Sequence, residues 1–391
     1  MYSDIIKNLN KDKVPVLVAA HNVGALGVIY PLTKNNIDVI GISHEKFLIK
    51  NLDNRGILIE EKNKWFSEIK KIGKEYKNQN PDKKMIFLTD GDLTMDEMVD
   101  NYNEIKDLFI LPIDENIDGY VNSTNKSMLP KFIKSVKLPK TYEGKEQYNI
   151  QDFPVLSKQI SSYYRKPKEK VFISNNKDEL LKNLKILEEI GGSVTQEMIE
   201  GGTESLYCIT LYRNKYGHII VGNIVQKIRE LPIVNGTGCC HITVDNNKVL
   251  DRAIKVLEDA NYTGIAMIEF KYSEKYDDYC LIEVNGRFPI ETNINEKLDN
   301  NFILRIYNDM INKSEKKEVV FDWNEKKAYW VFTSYDVRSC IKKHINPFKE
   351  YKKYRNNNEL VDAVRDYNDK VTYKEYKKGL VKKAYHKIIK L

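Results

Sequence analysis

The chain has 391 residues, 41% of them hydrophobic and 30% charged, which excludes a disordered chain and calls for two or three packed units instead of one core. Its net charge of +7 is unevenly placed: Ile341 to Leu391 holds 15 Lys plus Arg against 6 Asp plus Glu, or +9, so the other 340 residues sum to −2. No stretch reaches the ~18 uninterrupted apolar residues of a spanning helix, and the odd set Cys208, Cys239, Cys240, Cys280 and Cys340 has no C-x-x-C pair, so the expectation is a cytoplasmic protein without a disulfide framework or zinc site.

In chain order, VPVLVAA (14–20) is a short apolar run ended by the turn-like His21-Asn22-Val23-Gly24. ALGVIYPLTKNN then reads as a helix and IDVIGIS as a second strand, a β-α-β unit opening a parallel sheet. A third strand is expected at Lys84 to Leu88, followed by Thr89-Asp90-Gly91-Asp92 and a helix near Met95 to Tyr102, and a fourth at 108–111. Residues 1–122 are thus expected to form a small α/β domain. Gly24 and Gly27 give only part of a dinucleotide fingerprint; glycines that let a helix start close against the sheet are the favoured reading. The helix N-terminus beside His21 and Asn22 is kept as a candidate for an anionic substrate group.

Residues 123–200 read as a linker and a lid. Pro130 and Pro139 break a polar stretch with one helix at Lys126 to Ser135, and FPVLSKQI and EKVFIS resemble paired strands around the loop SSYYRKPK. Lys177 to Ile190 is amphipathic, with Leu180, Leu181, Leu184, Leu187 and Ile190 on one face. From Ser193 the pattern changes to long strands, VTQEMIE, SLYCITLYR, HIIVGNIVQKIR, GIAMIEFKYS and YCLIEVN, with one helix at Asn247 to Ala260, and an antiparallel sheet follows, residues 201–312 being taken as the next unit. Residues 313–391 are left as a basic helical C-terminal extension. Its last part, Tyr373 to Leu391, places Leu380, Val381, Ala384, Tyr385, Ile388 and Ile389 on one helical face and lysines on the other.

Two strands end in acidic residues, IAMIEF with Glu269 and CLIEVN with Glu283 and Asn285, and Arg287 follows two residues later. Paired as a hairpin they bring both carboxylates and the amide to one face. Like charges so placed need a cation, and oxygen-only ligands suit Mg²⁺ or Mn²⁺ held jointly with phosphates. Lys158 ends the apolar run FPVLSK and Lys170 begins the next strand; an ammonium among apolar strand residues is costly unless it meets an anion. Gln196-Glu197-Met198-Ile199-Glu200-Gly201-Gly202 joins lid and sheet, where backbone groups are presented to an adenine edge, and Glu204 follows within reach of a ribose.

The order Lys158, Lys170, Gln196 to Gly201, Lys227-Ile-Arg229 with Pro232 and Gly236-Thr-Gly238, Glu269, then Glu283-Val-Asn285-Gly-Arg287 resembles the ATP-grasp superfamily over residues 14–312. Within it the chain is similar to the carboxylate–amine ligases, the group that includes D-aspartate ligase. The resemblance implies an ATP-grasp fold: a pre-ATP-grasp α/β domain, a small lid and an antiparallel-sheet ATP-binding domain. It implies that Lys158 and Lys170 contact the phosphates, that Glu197, Met198 and Ile199 frame the adenine and that Glu204 holds the ribose. Glu269, Glu283 and Asn285 would hold two Mg²⁺, or Mn²⁺, and Arg287 with Arg229 would steady the γ-phosphate and an acyl phosphate. Many relatives have N-P-R where this chain has Asn285-Gly286-Arg287, and a Gly-rich phosphate loop where Ser161 to Lys168 has no glycine.

The expected activity is therefore ATP-dependent joining of a carboxylate to an amine through an acyl phosphate, releasing ADP and phosphate. Small-molecule substrates are expected, with a cell-wall or other polyanionic precursor among the acceptors allowed. A homodimer is allowed as well, and 373–391 is a candidate for peripheral membrane contact; nucleic acid is not expected, because no binding module accompanies the charge. The alternatives are a dipeptide or polyamino-acid synthase with the same ATP site, an idle ATP-binding regulator, and a nicotinamide-dependent oxidoreductase resting on Gly24 and Gly27.

Overall fold

A computed structural model describes residues 2–61, 64–159, 171–312, 327–356, 359–365 and 369–389, with Asn312 and 382–389 as backbone only. In the first domain β1 (Val16–Ala20), β2 (Val39–Ser43), β3 (Gly56–Leu58), β4 (Met85–Thr89) and β5 (Phe109–Ile110) form a parallel sheet in the order β3-β2-β1-β4-β5. β1, β2 and β4 are buried throughout, as strands covered on both faces must be, and so they read as unbroken apolar runs. The three-residue β3 and the helix Trp65–Gln79, which buries Trp65, Phe66, Ile69, Ile72 and Tyr76 along one face, add to the expected set. Because β1 and β4 are neighbours, the turns after them meet. The Asp90 carboxylate accepts the backbone N–H groups of His21 at 2.7 Å, Asn22 at 3.1 Å and Ala25 at 3.0 Å.

The lid is a four-stranded antiparallel sheet of β6 (Thr141–Glu143), β7 (Val155–Gln159), β8 (Val171–Ser174) and β9 (Ser193–Glu197), ordered β6-β9-β7-β8. The helix Lys177–Glu188 covers it. Asn176 caps this helix by accepting the Glu179 N–H, and Leu180, Leu184 and Leu187 are buried while Leu181 is 40% exposed. The helix expected at Lys126 to Ser135 is only the turn Leu129–Phe132, with Pro130 at its start, preceded by a helix at Asp118–Thr124. The loop Ser161 to Lys168 and Lys170 lie outside the described residues.

The third unit is a seven-stranded sheet of β10 (Leu206–Arg213), β11 (Ile219–Leu231), β12 (Thr237–Thr243), β13 (Gly264–Ser273), β14 (Asp278–Asn285), β15 (Tyr329–Val331) and β16 (Leu360–Asp362), ordered β14-β13-β10-β11-β12-β15-β16. Residues of the expected basic extension thus supply its last two strands. The helix Asn247–Asp259 packs Val249, Ala253, Val256 and Leu257 on one face. On the other face Val225, Ile265 and Met267 share a core with Val18, Leu26 and Ile29 of the first domain.

That interdomain contact explains Gly24 and Gly27. A Cβ on Gly24 would sit 2.2 Å from the Pro289 carbonyl oxygen and one on Gly27 would sit 2.6 Å from the Asn293 nitrogen. The glycines admit the 289–293 segment of the other domain, which occupies the place a dinucleotide phosphate would need. The C-terminal helix Lys370–Ile389 returns to the first domain, where the Tyr376 ring meets Phe47 at 5.1 Å, tilted by 60°. Its described apolar contacts are thus Tyr373 and Tyr376, whereas Leu380 and Val381 are 40% and 70% exposed. All five cysteines are buried and unpaired, and no described helix is long and apolar enough to cross a membrane.

Candidate functional site

β13 and β14 pair with Glu269 opposite Glu283 and Met267 opposite Asn285. Side chains two apart share a face, so the structure gathers both carboxylates and the amide on one patch. A bulge lies beside it, where the register slips between Glu269 and Phe270. Among the described residues no group of three or more His, Cys, Asp or Glu could hold a metal alone. Two carboxylates and an amide oxygen still fit Mg²⁺, which takes few protein ligands and shares its shell with water and phosphate.

Cations surround the patch. Lys126 Nζ lies 2.7 Å from Glu283 Oε1. Burial alone would raise the Glu283 pKa, but Lys126 and Lys158 outweigh it and bring the group down to about 2, so it is ionised. Glu283 in turn holds the Lys126 ammonium above its usual range. Lys158, from the fourth position of β7, is pushed down by burial in spite of Glu283. Lys227 Nζ is 4.0 Å from Glu269 Oε2 and 3.9 Å from Glu230 Oε2. Burial opposes its charge, yet Glu269 prevails and its pKa stands at about 12.

Arg287 reaches into the first domain, where its Nε donates to Asp92 Oδ1 at 2.7 Å. Gly286, between Asn285 and Arg287, lies against Tyr120: a Cβ there would be 2.4 Å from the ring. That contact is a physical reason for glycine at this step. Four residues after Arg287, Glu291 is buried with its Oε2 3.9 Å from His241 Nδ1. Burial pushes Glu291 up to about 7 and His241 down to about 3. His241, stacked on Trp330, has no hydrogen-bond partner at either ring nitrogen among the described residues, and Glu230 Oε2 has none either. Buried polar atoms are normally satisfied, so these orphaned groups beside Lys227 mark a place for a polar ligand.

The lid hinge is fixed by its acidic residues. The Glu197 carboxylate pairs with Lys275 at 2.5 Å and accepts the Tyr276 hydroxyl at 2.9 Å. Glu200 accepts the Ser273 hydroxyl at 2.6 Å and the Lys275 N–H at 2.9 Å, which bring its pKa down to about 2. The Glu197 carboxylate is therefore turned to the 273–276 turn; Met198 beyond it is half-buried and Ile199 buried. Glu204 is exposed in the turn Thr203–Ser205.

Of the expected residues, Lys158, Glu269, Glu283, Asn285 and Arg287 come together. Arg229 does not. Its guanidinium makes a bidentate pair with Asp336 at 2.7 and 2.9 Å and is 3% exposed. The cause is a bulge: Lys227 pairs with His241 but Arg229 with Cys240. Residues two apart on a regular strand would share a face; the extra residue Ile228 puts these two on opposite faces. Lys126, Asp92 and Glu291 are the site residues that pattern reading missed. Lys227 stood in the Lys227-Ile-Arg229 motif without a role of its own, whereas Lys126 sits in a linker whose periodicity gives no signal.

Residues 228–301 match the family model described as "Carbamoyl-phosphate synthase L chain, ATP binding domain". No curated protein sequence matches the chain. Among solved structures, the biotin carboxylase domain dimer of the Hydrogenobacter thermophilus 2-oxoglutarate carboxylase, with MgADP and bicarbonate, is similar at TM-score 0.62 and 16% identity, covering 81% of this chain and 73% of that one. L-amino acid ligase from Bacillus licheniformis is similar at TM-score 0.57 and 14% identity, covering 76% and 74%. N5-carboxyaminoimidazole ribonucleotide synthetase from Thermotoga maritima is similar at TM-score 0.56 and 14% identity, covering 81% and 80%. With these likenesses, its parallel first domain, four-stranded lid and large antiparallel sheet, the chain has the ATP-grasp fold.

Proposed function

We propose that the protein is an ATP-dependent ligase that activates a carboxylate as an acyl phosphate and passes the acyl group to an amine, releasing ADP and phosphate. The observation that carries this reading is the patch of Glu269, Glu283 and Asn285 ringed by Lys126, Lys158, Lys227 and Arg287. A carboxylate is a poor acyl donor because an amine must expel an oxide, and phosphorylation turns that oxygen into a leaving group.

In this reading Glu269, Glu283 and Asn285 hold Mg²⁺, as two ions, or Mn²⁺. The metal, when bound, neutralises phosphate oxygens and polarises the transferring phosphoryl group. Lys158 and Lys170 hold phosphates, joined by Lys126, and Arg287 steadies the charge that develops on transfer. The backbone of Glu197 to Ile199 lines the adenine and Glu204 takes the ribose. Glu291, poised near neutrality, accepts a proton from the attacking amine. The carboxylate and amine enter between Arg287 and the first-domain turns that carry His21, Asn22 and Asp92.

The MgADP named for the 2-oxoglutarate carboxylase structure and the amino acid ligase among the similar structures support this reading. The complete set Glu269, Glu283, Asn285 and Arg287 weighs against an idle ATP-binding protein. A dipeptide or polyamino-acid synthase shares every step and differs only in its acceptor. A phosphate-release screen with ATP, Mg²⁺ and pairs of amino acids and cell-wall precursors is expected to find pairs that turn over, and Glu283→Ala to abolish release with the fold intact. Full turnover in that variant would remove the metal assignment.

A further inference from the structure

The basic C-terminal region leaves one surface unexplained by ligation, the turn joining the helices Thr333–Lys342 and Pro347–Asn356. Phe348 is 83% exposed, more than any other large apolar side chain among the described residues, and Ile341, across the same turn, is 63% exposed. Exposed apolar surface gathered at one turn and rimmed by charge marks an interaction site. Between Val337 and Asn356 there are seven cations, Arg338, Lys342, Lys343, Lys349, Lys352, Lys353 and Arg355, and one acidic residue, Glu350. Glu350 is turned inward, accepting the Tyr354 hydroxyl at 2.7 Å and lying 3.5 Å from Arg229. The outward charge therefore has no outward acidic partner on these two helices.

The helix Pro347–Asn356 sorts these groups by face. Tyr351 and Tyr354 are buried, while Phe348, Lys352 and Arg355, spaced i, i+4 and i+7, form an outer stripe. The stripe lines a cleft of about 380 Å³ completed by Thr333, Val337 and Arg365. Cations at the mouth, an apolar wall and an exposed phenyl ring at the rim match a phosphate carried on an apolar body.

We propose that this surface docks the protein on an anionic phospholipid bilayer. Ile341 and Phe348 enter the interface, and a headgroup phosphate sits among Lys352, Arg355 and Arg365. A second copy is a poor occupant, since a two-fold interface would set this positive surface against itself. Nucleic acid would use the cations and leave Ile341 and Phe348 wet. The helix Lys370–Ile389, the other basic segment, is occupied at its start by the contact of Tyr376 with Phe47. The proposal is independent of the ligase reading, because it concerns a different surface and its readout is not turnover.

The test is co-sedimentation of the full chain with vesicles of phosphatidylcholine alone and with phosphatidylglycerol added. Binding is expected only with phosphatidylglycerol, and it should fall with salt. Ile341→Ser with Phe348→Ser should weaken it about tenfold or more, and Lys352→Ser with Arg355→Ser roughly fivefold per charge removed. Both double variants should keep the wild-type unfolding midpoint, since the side chains are exposed; should one lose it, the other carries the test. Absence of vesicle binding, equal binding by a folded variant, or sedimentation of a dimer that Phe348→Ser dissolves would overturn the proposal. So would inorganic phosphate or a DNA oligonucleotide binding at this cleft when the vesicles do not.

Discussion

Lys227 and Arg229 differ by two positions and by everything that matters to the site. The bulge at Ile228 turns Lys227 to Glu269 and Arg229 to Asp336. On the proposed reading, in which Lys227 faces the metal and phosphate patch beside Glu269, Lys227→Ala is expected to lower phosphate release by about a hundredfold. Arg229→Ala should instead cost about 3–5 kcal/mol of stability, leaving Asp336 buried without its partner. Urea unfolding beside phosphate release separates the two outcomes. Glu291 gives a second residue-scale expectation. Its pKa is raised to about 7 in the folded protein, so the folded state holds its proton more tightly than the unfolded chain does. The resulting stability is present below the unfolded value of ~4.5 and is lost as pH rises through 7. Compared with Glu291→Gln, the wild type should lose up to about 3 kcal/mol more between pH 4.5 and 8. Parallel stability curves for the two proteins would show that Glu291 does not titrate this way.

At the scale of elements, legibility followed burial pattern. β1, β2, β4 and β13 were readable because continuous apolar runs or strict alternation announce a strand. The pairing of Glu269 with Glu283 was readable too, because a hairpin of alternating residues leaves little choice of face. β12, β15 and β16 were not, since GTGCCHIT begins with glycine-rich turn chemistry and the last two strands are three residues each. Lys126 could not be placed because its partner Glu283 is distant in sequence and only tertiary structure joins them. Gly24, Gly27 and Gly286 were legible as special positions but not as to what they approach. Gly286→Ala must displace Tyr120 and should cost about 1–3 kcal/mol, with ATP affinity lowered as Asn285 and Arg287 shift. A variant as stable and as tight as wild type would mean that the ring moves away freely.

For the whole molecule, three units meet around one patch: the first domain supplies Asp92 and the 126 turn packed beside it, the lid supplies Lys158, and the large sheet supplies the carboxylates and Arg287. The C-terminal strands belong to that sheet as well, with β15 pairing along β12. Truncation before residue 327 would bare the β12 edge together with buried Cys240 and His241 and is expected to give aggregation, not a trimmed enzyme. A soluble, monomeric 1–326 protein with unchanged turnover would contradict that. If ATP is spent on the oxygen of a carboxylate, that oxygen must leave with the phosphate. For a carboxylate and amine pair that supports phosphate release, the check is to supply the carboxylate labelled with ¹⁸O and weigh the products. One labelled oxygen is expected in the released phosphate, with ADP as the nucleotide product. Unlabelled phosphate, or AMP carrying the label, would contradict it.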